Sequence, residues 1–120
     1  VRSRLALALA LVSTLVLGAC SGGGLGTAKA DFHKGRLPEA KSELLRLEPE
    51  SHSWSNQRRA EYALYRGLVH LSLGDRSAAG VWLAEAKALD DAQPRALSDD
   101  DRIRLKLALE SLATSGSAPP

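Results

Sequence analysis

The chain contains a single cysteine, Cys20, in 120 residues. One thiol closes no intrachain disulfide and completes no cysteine-rich zinc site, so a folded domain has to be held together by packing. Apolar runs are short as well. The longest, residues 5–17, holds 13 residues, against the roughly 20 that an ordinary membrane span requires. Charge of one sign is also lacking: 16 Lys and Arg stand against 14 Asp and Glu. Two of those basic residues, Arg2 and Arg4, precede the apolar run. Without residues 1–19 the balance is 14 against 14, which removes the electrostatic argument for nucleic acid or any other polyanion as partner.

The first twenty residues form an ordered pattern. Arg2 and Arg4 supply a positive start, residues 5–17 the apolar stretch, and the small residues Gly18 and Ala19 lead to Cys20. This is the order of an export signal. Leu17-Gly18-Ala19-Cys20 further resembles the lipobox of bacterial lipoproteins. The resemblance implies a signal peptide over residues 1–19, cleaved before Cys20, with a diacylglycerol on its thiol and an acyl group on the new amino terminus. It implies attachment to a membrane of the cell envelope through lipid. Ser21, where that family places Asp for inner-membrane retention, points to the outer membrane with the domain facing the periplasm. Ser21-Gly22-Gly23-Gly24-Leu25-Gly26 then reads as a flexible tether over residues 20–26, because glycine loses most entropy on ordering. Residues 114–120 read as a frayed tail, which leaves one small domain over residues 27–113.

That domain contains an internal repeat. Ala28, Phe32, Gly35, Ala40, Leu44 and Leu47 are spaced by 4, 3, 5, 4 and 3 residues, and Gly67, Leu71, Gly74, Ala79, Leu83 and Ala86 reproduce the intervals. Residues at i, i+3, i+4 and i+7 share a helix face, so Leu37, Ala40, Leu44 and Leu47 form one apolar stripe and Ala79, Trp82, Leu83 and Ala86 another. Gly35 and Gly74 suit the left-handed residue that ends a helix, Asp75 suits the cap of the next helix, and Pro38 suits a first turn. Small Ala28 and Gly67 allow two helices to approach. The spacing resembles the tetratricopeptide repeat (TPR) over about residues 25–49 and 58–91. It implies an all-α fold of two antiparallel helical hairpins. The turn glycines lie 74 − 35 = 39 residues apart, more than the usual period of about 34; the loop around residues 51–54 is expected to absorb the surplus.

A fifth helix is expected over residues 98–113. Ser98 fits its N-cap, Asp101 the capping-box position, and Asp99 and Asp100 oppose the positive end of the dipole. Leu105, Ala108, Leu109 and Leu112 form its stripe, as in the capping helix of a repeat stack. Ile103 and Leu107 project about 160° away at about 100° per residue and are either contacts for a partner or a second copy or isolated surface apolar residues.

Catalytic and metal chemistry find no constellation. Asp99-Asp100-Asp101 lacks the glycine and spaced acid of a calcium loop, and His33, His52 and His70 have no ligand spacing. No serine lies in a nucleophile elbow. The chain is therefore read as a non-enzyme without cofactor or metal. Trp54, in the expected loop and outside any stripe, is a candidate interface anchor or else a cover for the top of the hairpin. Arg58, Arg59, Tyr62 and Arg66 gather on the third helix, where they fit either a carboxylate ligand or, with Glu61, a solvated charged face. In TPR proteins peptides often lie in the groove lined by the first helix of each hairpin. The resemblance places Leu64, Leu68 and Leu71 there and implies an apolar or helical partner. The expected function is a membrane-anchored adaptor or assembly factor for an envelope complex. A structural envelope lipoprotein without a dedicated client and an accessory subunit of an envelope enzyme are the alternatives, with self-association a further expectation.

Overall fold

The computed structural model describes residues 24–115. The expected signal segment, Cys20 and the last five residues lie outside them. Five helices follow one another: α1 Leu25–His33, α2 Leu37–Ser51, α3 Asn56–Ser72, α4 Arg76–Ala92 and α5 Asp99–Ser115. The fold is all-α. Helices α1 and α2 form one hairpin, α3 and α4 a second, and α5 packs on α3 and α4.

The two hairpin turns are built alike. Gly35 and Gly74 have φ of +78° and +89°, the left-handed region in which a side chain is strained. In the first turn the Arg36 N–H donates to Asp31 O at 2.8 Å, and in the second Asp75 N–H donates to His70 O at 2.9 Å. These bonds span five residues and satisfy carbonyls that a helix end leaves bare. The Asp75 carboxylate accepts from Ala78 N–H at 3.1 Å and starts α4, whereas α2 starts without a side-chain cap and with Pro38 in its first turn. Ser98 accepts from Asp101 N–H at 3.2 Å at the start of α5.

Helix α3 occupies the centre. It packs against each of the other four helices, and every residue from 62 to 70 is buried. A helix enclosed on all sides has no free face. Its closest neighbour is α4: a Cβ added to Gly67 would lie 2.5 Å from Leu83 Cγ and Cδ2 and 3.2 Å from the Leu83 backbone nitrogen. The stripes on α2 and α4 supply Ala40, Leu44, Leu47, Ala79, Leu83 and Ala86 to the same core.

Three boundaries differ from the sequence reading. Helix α1 begins at Leu25 and includes Gly26, two residues assigned to the tether, because Leu25 is buried in the core and the Gly24 N–H donates to Glu43 Oε2 at 2.7 Å. Helix α2 continues through Pro49 to Ser51. Pro49 and Leu45, whose carbonyl loses its helical donor, are both exposed, so solvent replaces the missing bond. The surplus in repeat spacing is thus taken up largely by helix, and the connection shrinks to residues 52–55. Helix α5 extends to Ser115, two residues into the expected tail.

Candidate interaction surfaces

The polar residues of α3 divide between two directions. Toward α2 and α4, Tyr62 donates to Leu44 O at 2.6 Å, and Arg66 Nη1 donates to Glu48 Oε1 at 2.8 Å and to the Tyr62 hydroxyl at 2.9 Å. The Arg66 guanidinium lies 4.3 Å from the centroid of Trp82, a cation–π arrangement. Its Nη2 is 3.4 Å from His70 Nε2; because arginine only donates, His70 accepts there and carries its proton on Nδ1. Arg66 Nε and His70 Nδ1 are buried without a hydrogen-bond partner. Toward α1 and α5, the Tyr65 hydroxyl donates to Asp101 Oδ1 at 2.9 Å and accepts from His33 Nε2 at 3.2 Å. Arg104 closes on the same Asp101 oxygen at 3.1 Å.

Burial sets the ionisation of these groups. It raises the Tyr65 pKa, with further help from the Asp101 hydrogen bond. It raises that of Tyr62 against the opposing pull of Arg66. His70 is held below its usual value, first by burial and then by Arg66. Two neutral phenols and a neutral imidazole therefore occupy the interior near pH 7. Asp101, read from sequence as a helix-capping acid, is buried and joins α5 to α3 through Tyr65.

The arginines of α3 are engaged within the fold. Arg66 pairs with Glu48, Arg59 with Glu85 at 3.6 Å, and Arg58 lies 4.2 Å over the Trp54 ring. Glu61 pairs with Lys29 of α1. The pairing differs from the sequence expectation: Glu61 turns to Lys29 instead of the α3 arginines, and Arg66 is buried instead of lying on a solvated face. Among the described residues no cluster of His, Cys, Asp and Glu has the makings of a metal site, and no helix is long and apolar enough to cross a membrane.

The candidate partner residues separate into three groups. Leu64 and Leu68 are 0% and 8% exposed and belong to the core. Both are packed into the core and so are not groove-lining positions. Leu71 and Trp54 are partly buried and pack against that core; Trp54 meets the Tyr62 ring edge-on at 5.7 Å. Ile103 and Leu107 are 57% and 60% exposed, one turn apart on the outward side of α5.

In comparisons with known proteins, no family model, curated protein or solved structure matches this chain.

One further surface was not singled out from sequence. A groove of about 250 Å³ opens between the end of α2 and the pair α3 and α4. Tyr62, Ala63, Trp82 and Leu89 line it together with Val81, and the Arg59–Glu85 pair borders it. Val81 is 67% exposed. The available signal was its position: it falls beside, not within, the α4 stripe. The groove exists because α2 and α4 both pack on α3 while hardly touching each other.

Proposed function

We propose that this protein is a lipid-anchored, TPR-like adaptor or assembly factor of the bacterial cell envelope. The observation that carries the reading is the pair Ile103 and Leu107. They present two large apolar side chains to solvent one turn apart on the outward side of α5. Exposed apolar side chains grouped in this way fit a protein contact better than solvent. The recurrence of one interval pattern and one turn geometry in both hairpins supports the TPR-like assignment. The sequence at Cys20 supports attachment through lipid, and Ser21 supports the outer membrane.

The test is co-purification from native envelopes with Ile103→Glu and Leu107→Glu variants. A protein that accompanies the wild-type chain in fixed ratio and is lost from the variants, with helicity retained, supports the adaptor. An unchanged set of companions places the binding function elsewhere or removes it.

A further inference from the structure

Where the anchor enters the domain determines which part of the domain meets the lipid. Helices α1 and α3 run parallel: Lys29 pairs with Glu61 and His33 with Tyr65, so both contacts advance in the same direction. The start of α1 therefore lies at the same end of the molecule as the start of α3. The turn over residues 52–55 lies at that end too, since it joins α2 to α3. Helix α2 has 15 residues and α1 has 9, and they share the turn at Gly35. Six more residues at 1.5 Å each carry the tip of α2 about 9 Å beyond the start of α1.

Four chain steps separate Cys20 from Gly24. Fully extended they reach no more than about 14 Å. A lipid on Cys20 thus holds the bilayer surface within reach of the protruding α2–α3 turn and cannot carry it to the opposite end, since α3 alone is about 25 Å long. The turn holds Trp54, supported edge-on by Tyr62 and covered by Arg58. Arg58 is exposed and has no acidic partner among the described residues. Trp and a neighbouring arginine are suited to the headgroup level, where an amphipathic ring and a cation both find favourable surroundings. The exposed acids Asp99 and Asp100 begin α5 on the α1 side of α3, where the neighbouring Asp101 is level with Tyr65, nine residues beyond the start of α3 at Asn56.

We propose that the α2–α3 turn rests on the phospholipid headgroups with Trp54 as its interfacial anchor, which leaves the Gly74 turn and the C-terminal part of α5 facing away from the membrane. The inference rests on the lipid-anchor reading of Cys20.

The test reconstitutes the full-length, cell-processed protein into vesicles of phosphatidylethanolamine and phosphatidylglycerol containing lipids brominated near the headgroup. Trp82→Phe isolates the emission of Trp54, and Trp54→Phe isolates that of Trp82. Quenching of Trp54 with Trp82 unaffected is expected. As a measurement independent of tryptophan replacement, Ser53→Cys should be shielded from a water-soluble maleimide on vesicles and Ser72→Cys should remain reactive. Flotation with the vesicles without Trp54 quenching, or with equal labelling of the two cysteines, overturns the orientation and leaves the anchor reading standing. Failure to float, with an unmodified Cys20 by mass spectrometry, overturns both.

Discussion

Gly67 and Gly80 offer an internal comparison, because the same substitution should act in opposite directions at the two sites. Both lie inside helices, where glycine costs about 1 kcal/mol relative to alanine. At Gly80 an added Cβ meets nothing within 4 Å, so Gly80→Ala should recover that amount. In a domain of this size it corresponds to a rise in Tm of about 4–8 °C. At Gly67 the same methyl would lie 2.5 Å from two atoms of the Leu83 side chain. A rotamer change by Leu83, a fully buried residue, would relieve that overlap only by displacing its neighbours. The Leu83 backbone nitrogen at 3.2 Å limits how far the helices can adjust. Overpacking of this kind costs about 1–3 kcal/mol, which outweighs the propensity gain over most of its range. Gly67→Ala should therefore lower Tm while Gly80→Ala raises it. Thermal unfolding followed by circular dichroism at 222 nm, on the chain from residue 21, reads both. Equal stabilisation by the two substitutions would refute the close α3–α4 approach on which the second hairpin is built.

Tyr65→Phe removes the hydroxyl that bonds Asp101 and His33, and should cost about 1.5–3 kcal/mol, the range for hydrogen bonds to charged groups. A urea titration should show a lower midpoint with an unchanged slope, and in an Asp101→Ala background the cost should largely vanish. His70 is held below its ordinary pKa, so the unfolded chain binds the extra proton more readily than the folded one. Stability should thus fall as pH drops below about 6.5, and His70→Gln should flatten that limb of the profile. Asp90 is also held low, chiefly by its hydrogen bonds from Arg102, with help from the Leu97 N–H. Its contribution should be complete above about pH 4 and be lost as pH falls toward the folded-state value; Asp90→Asn should remove this acid limb and lower stability at pH 7.

Local signals and enclosure were unequally legible in the sequence. Gly35, Gly74, Asp75 and Ser98 could be placed correctly because their roles depend on neighbours within five residues. The stripes on α2 and α4 were equally readable, since each buries one side. Leu64 and Leu68 were misplaced for a physical reason: on a helix buried all round, periodicity does not distinguish an open groove from a packed interface. Asp101 looked like a cap because sequence spacing shows its own helix end and not Tyr65, which lies 36 residues away. The short α2–α3 connection was hidden by Pro49, whose helix-breaking tendency is offset by its exposed position in the last turn. The groove over Trp82 depends on the separation of α2 from α4, a tertiary relation that no single segment encodes.

Crosslinking and mass spectrometry of the full-length protein in its native envelope, beside a Cys20→Ser control, tests the central claim most directly. A membrane-anchored adaptor should give one dominant protein partner in fixed proportion, lost or strongly reduced when Cys20 is replaced. Crosslinks only between copies of this chain, or none to any protein, would contradict the adaptor.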